Sequence, residues 1–140
     1  MIRKPSEGRR LDRVRVLADG DETGGAFELI ETEGREGTGP PRHRHGGEGF
    51  YIVEGEYTMV VGDQTERCPA GTFIWIPAGT PHRFRAETTP ARKLNLHVPA
   101  GMLGWWDETD GLAPTDPRFA AADRRYGVEW LDEPETKDSE

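Results

Sequence analysis

The chain has a single cysteine, Cys68, in 140 residues, so no internal disulfide can brace it. That suits a reducing cytoplasm, the location expected here. Cys68 itself reads as a small half-buried strand residue. Lysine is scarce, 3 residues against 15 arginines, and acidic groups prevail, for a net charge of −8. With a pI of 5.1, no nucleic-acid or membrane partner is expected. No apolar run approaches the length of a membrane span, and the opening MIRKPSEGRR lacks the apolar stretch of a signal peptide. Hydrophobic residues make up only 34% of the chain.

Glycine and proline are abundant, at 18 and 11 residues, which favours short strands and turns over helices. A chain of this length forms one domain, 1–140, with a core over about 12–132 and a solvated acidic tail over 133–140. DRVRVLA (12–18) and AFELIETE (26–33) alternate apolar and polar side chains, the period of half-buried strands. RHRH, FYIV, YTMVV, TFIWI, PHRFRAE and KLNLHV follow, separated by Gly, Pro or Asp. About eight antiparallel strands are expected, in a β-sandwich or small barrel. GMLGWWDETDGLAPTDP reads as a connector. PRFAAADRRYG reads as the one helix, capped by Asp116 with Pro117 in its first turn, and YGVEWL as a last short strand.

The four histidines of the chain are His43, His45, His82 and His97. In a strand, residues two apart share a face, so His43 and His45 can converge on one ion, whereas on a helix they would splay by roughly 200°. Pro40 and Pro41 precede them and oppose a helix. In GTFIWIPAGTPHRF (71–84) a strand ends, turns and restarts at His82. Alternation puts His82 and Phe84 inward and Arg83 and Arg85 toward water. By the same parity Asn95 and His97 face inward, while Leu94, Leu96 and Val98 need a dry partner. Phe50, Phe73, Trp75 and Phe84 read as core before cavity lining. Trp105 and Trp106 suit either a lid over the barrel mouth or a packing surface.

These residues resemble the cupin superfamily. Gly37, His43, His45, Glu48 and Gly55 fit its first motif, and Gly71, Pro77, Gly79 and His82 its second. There are two departures. Only two residues separate His45 from Glu48, where the family has three or four, so a carboxylate on a shortened turn is expected to reach the site poorly. Ala86 stands where the family has asparagine. The resemblance implies an all-β conical jelly-roll barrel with a short C-terminal helix and a divalent metal in its lumen. The ligand set expected is His43, His45, His82 and His97, with Glu48 as a fifth ligand, as a base or as a partner orienting one imidazole.

Four neutral imidazoles leave the full charge on the ion, which favours Lewis-acid chemistry and makes Zn2+ the first expectation, with Fe, Ni, Mn or Cu as alternatives. The small size and histidine-rich set resemble the single-domain cupin polyketide cyclases of the resistomycin cyclase type. These would enolise and cyclise a poly-β-keto substrate. The alternative is a quercetinase-like dioxygenase, in which Glu48 would be ligand and base. A second alternative is a non-enzymatic small-molecule binder. Leu94, Leu96 and the tryptophans suit a homodimer.

Overall fold

The computed structural model describes residues 1–132. The acidic tail expected over 133–140 lies outside the described residues. Strands β1 (Arg10–Leu11), β2 (Val14–Ala18) and β3 (Glu28–Gly34) open the fold. They are followed by β4 (His43–Arg44), β5 (Glu48–Glu54), β6 (Glu56–Val61), β7 (Gln64–Pro69), β8 (Phe73–Ile76), β9 (His82–Ala86) and β10 (Ala91–His97). Helices α1 (Leu103–Thr109) and α2 (Pro117–Tyr126) precede a last strand, β11 (Glu129–Trp130). The strands form two sheets, ordered β1-β2-β3-β10-β5-β8 and β11-β4-β9-β6-β7, with every pairing antiparallel. Their inner faces enclose the core, the jelly-roll that the motifs imply.

Alternation sets which side chains enter that core. Along β10, Ala91, Lys93, Asn95 and His97 are buried, while Arg92, Leu94 and Leu96 are half-buried. Ile30, Phe50, Ile52, Tyr57, Met59 and Ile76 are sealed from solvent beside them. Phe73 and Trp75 do not join the core: they are 60% and 46% exposed. In register they lie opposite Tyr51 and Gly49 of β5, on the outward parity of the larger sheet. Gly55, in the β5–β6 turn, has φ = 78°, and a Cβ there would press on Thr88 Oγ1 and stand 2.6 Å from the Pro90 carbonyl oxygen. Only glycine fits such a turn. Ala86 leaves no gap in place of the motif asparagine, because its own backbone closes that corner, with Ala86 N donating to Thr38 O and Gly37 N to Ala86 O, each at 2.8 Å.

There are more elements than the eight strands and one helix expected. β4 and β11 fall within RHRH and YGVEWL, both expected as strands; β1 is two residues long, too short to carry a periodic signal, and β7 is exposed everywhere but at Cys68 and so shows no alternation. Helix α1 lies in the stretch read as a connector. Its N-cap, Met102, offers no side-chain hydrogen bond, so the local sequence holds no start signal. The cap comes from across the fold: Glu28 on β3 accepts from Met102 N at 2.7 Å and Leu103 N at 2.9 Å. Helix α2 follows the expected pattern, with Asp116 accepting from Arg118 N, Pro117 in the first turn and Gly127 in the left-handed conformation after the last.

Candidate metal centre

Three of the four histidines meet inside the barrel. His43 on β4 faces His82 on β9 in register, and His45 follows His43 by two residues, which returns its ring to the same side. One ring nitrogen from each of His43, His45 and His82 lies within 4.8 Å of the other two, and among the described residues these form the cluster able to hold a metal ion. Backbone carbonyls fix the tautomers. Nδ1 of His43 is 2.8 Å from Pro41 O, that of His45 2.9 Å from Gly46 O, and that of His82 2.8 Å from Thr80 O. A carbonyl oxygen only accepts, so each Nδ1 carries the proton and each Nε2 presents a lone pair. Burial, aided by the neighbouring His82, pulls His43 down to about 4, and burial lowers His82 as well. Both rings are neutral at pH 7, the form that binds a metal.

His97 and Glu48 stand beside this cluster. In the larger sheet His97 is paired with Glu28 of β3 on one side and Glu48 of β5 on the other. His97 Nε2 lies 3.1 Å from Glu48 Oε2. Its Nδ1 is buried without a hydrogen-bond partner; Glu28 Oε1, at 3.7 Å, is too far to serve as one. Glu48 Oε2 also lies 3.2 Å from His45 Nε2. The shortened turn therefore does not withdraw the carboxylate from the histidines. Glu48 is the first residue of β5, pinned opposite His97 and Ile76, so the sheet sets its position and the turn does not. Burial pushes the Glu48 carboxyl up, but the hydrogen bond from His97 outweighs it and holds the group down to about 2.

The residues fit a bound cation. His82 Nε2 is buried with no hydrogen-bond partner, which costs about 1–3 kcal/mol if nothing electropositive meets it. His45 Nε2, with its proton on Nδ1, aims a lone pair at the Glu48 carboxylate. Two acceptors at that distance repel, and a cation held by His45 Nε2 relieves the repulsion. Three imidazoles with a carboxylate in reach suit first-row divalent ions.

A cavity of about 70 Å³ opens onto the cluster, lined in part by Glu48, Phe84, Asn95 and His97. Trp105 and Trp106 of α1 and Trp130 of β11 also border it. Trp105 and Trp130 are held in place by Asp123 of α2, whose Oδ1 and Oδ2 accept their indole N–H groups at 2.8 and 2.9 Å. The tryptophans thus serve both as cavity wall and as packing for the helices. So small a space holds an ion and a few waters.

Lys93 and Glu28 did not emerge from the sequence as interior residues. Extending the inward parity of His97 and Asn95 by one step reaches Lys93, which is 1% exposed. Its Nζ lies 2.8 Å from Asn95 Oδ1 and 3.0 Å from Thr32 Oγ1, and sits 4.0 and 4.2 Å from the ring centres of Phe84 and Phe50. Burial drives its pKa down to about 7, against the pull of Glu48. Between that value and the ordinary lysine value of 10.5 the unfolded chain binds a proton that the folded one does not. Stability therefore rises with pH across this window, by up to roughly 1 kcal/mol per pH unit. Chemical denaturation at pH 7 to 10 should show that rise in the wild type, and Lys93→Met should remove it.

Comparisons with known proteins agree with this architecture. The Cupin domain family profile matches residues 29–97, from β3 to the end of β10. Quercetin 2,3-dioxygenase of Bacillus subtilis is 32% identical over 144 residues, covering 94% of this chain and 42% of that protein. The chain therefore spans less than half the length of this relative. Among solved structures, a predicted oxalate decarboxylase from Thermotoga maritima superposes with a TM-score of 0.61 at 18% identity, over 70% of this chain and 98% of that one. An RmlC-like cupin from Shewanella frigidimarina gives 0.56 at 19% identity, over 62% and 75%. These two likenesses concern the fold alone. With both histidine motifs in place on a two-sheet jelly-roll, the chain belongs to the cupin superfamily.

Proposed function

We propose that the protein is a metal-dependent dioxygenase of the quercetinase type, acting on an enolisable, flavonol-like substrate. One observation carries the reading: the Glu48 carboxylate lies 3.2 Å from His45 Nε2, against the histidine cluster. An all-histidine site suits Lewis-acid cyclisation of a polyketide. A carboxylate beside the ion offsets part of its charge and favours metals that change oxidation state, so Fe, Ni, Mn or Cu replaces Zn2+ as the preferred occupant. The similarity to quercetin 2,3-dioxygenase points the same way.

In this reading His43, His45 and His82 hold the ion through Nε2, and the ion supplies Lewis acidity together with one-electron chemistry toward dioxygen. Glu48, ionised at neutral pH, takes the proton from the substrate hydroxyl and so forms the enolate. His97 donates its Nε2–H to Glu48 and positions the carboxylate, and is not required as a fourth ligand. Trp105, Trp106 and Trp130 narrow the entrance and exclude bulk water.

An oxygen electrode tests the proposal. Protein loaded in turn with Fe, Ni, Mn and Cu should consume dioxygen on addition of quercetin with at least one of them, and the zinc-loaded form should not. Stoichiometric metal with no uptake in any form would contradict it, and would return attention to cyclisation.

A further inference from the structure

The inner face of the larger sheet is built in rows. Glu28, His97 and Glu48 share one row, and Ile30, Asn95 and Phe50 the next. Asn95 thus lies one step below the Glu48 carboxylate. It borders the cavity that His43, His45 and Glu48 line, whereas Lys93 lies outside it. An asparagine amide can be turned either way, but here its neighbours decide. Below about pH 7, where Lys93 is an ammonium flanked by two aromatic faces that favour its charge, it has only protons to give. The atom 2.8 Å from it must be the amide oxygen. Thr32 Oγ1, 3.2 Å away, donates to the same oxygen. With Oδ1 committed to Lys93 and Thr32, Nδ2 is the part of the amide left for the cavity.

We infer that Asn95 Nδ2 donates a hydrogen bond to a ligand oxygen bound beside the histidine cluster, and that Lys93 is the positioning residue that holds the amide in this sense. The ligand class follows from the donor. It is an enolate or α-hydroxyketone whose oxygen accepts from Asn95, and this specification rests on the enolate-forming reading proposed above. Lys93 adds a positive charge behind the amide, which polarises its N–H groups toward an anion. A buried cation, costly to desolvate, thereby acquires a role that packing alone does not give it.

The test measures ligand binding without dioxygen, so that it does not depend on turnover. Maltol, a small α-hydroxyketone, is titrated into metal-loaded wild type and into Asn95→Asp, Asn95→Leu and Lys93→Met, with imidazole, which offers no oxygen, as the control ligand. Maltol affinity should fall about 10- to 100-fold in both Asn95 variants, the scale of a hydrogen bond to a charged group. Metal content and imidazole affinity should stay at wild-type levels. Lys93→Met should also weaken maltol, and the double variant with Asn95→Leu should be no weaker than Asn95→Leu alone, because both changes remove one interaction. Unchanged maltol affinity in the Asn95 variants, equal loss of imidazole and maltol, or no maltol binding by loaded wild type would each overturn the inference. Failure of the dioxygenase reading appears elsewhere, as absent oxygen uptake in protein that still binds maltol through Asn95.

Discussion

His82→Ala is expected to leave the protein essentially without metal after purification. His82 brings to the cluster a buried Nε2 that has no other partner, and its Nδ1–H is already held by Thr80 O. The ring therefore has no second orientation to fall back on. Loss of an outer-shell partner alone costs about 10- to 100-fold in metal affinity, and loss of a ligand costs more. Plasma emission analysis after gel filtration should find about one ion per wild-type chain and a small fraction of that in the variant. Retained secondary structure by circular dichroism would show that the loss is local. His97→Gln is the informative contrast. It keeps a donor for Glu48, so the metal should remain; loss of the metal in that variant would restore His97 as a fourth ligand.

Glu48→Gln should lower the turnover of quercetin by about 10²–10⁴-fold, the usual contribution of a positioned general base. Glutamine keeps the shape of the side chain but cannot take a proton, and in wild type the carboxylate is held ionised by His97. The metal should be retained, because three imidazoles still hold it. Glu48→Gln with full activity and full metal content would remove Glu48 from the chemistry. Loss of the metal together with activity would make the carboxylate a ligand as well as a base.

Much of this could be read before any coordinates. The spacing of His43, His45, Glu48, Gly55, Pro77, Gly79 and His82 identified the family, and strand parity turned His82, Asn95 and His97 inward. What escaped the sequence depended on contacts between distant segments. Helix α1 is capped by Glu28, 74 residues away from Met102, and no local pattern can reveal such a cap. The reach of Glu48 does not follow from the length of the turn: pairing with His97 fixes the start of β5 whatever that length is. Phe73 and Trp75 read as interior aromatics, yet the register of β8 against β5 turns them outward. Lys93 was legible in principle, one step of alternation from Asn95. A charge at an inward position is easily passed over unless its partners, Thr32 and Asn95, are known.

The most direct test of the central claim is anomalous diffraction from a crystal of the metal-loaded protein, recorded at the absorption edge of the ion found by elemental analysis. The account predicts one anomalous peak in the barrel, at roughly 2.0–2.2 Å from Nε2 of His43, His45 and His82, the ordinary range for imidazole nitrogen on a first-row divalent ion such as zinc. The Glu48 carboxylate should lie at or next to the peak. A peak bound through other residues, or no peak in protein that carries stoichiometric metal, would contradict it.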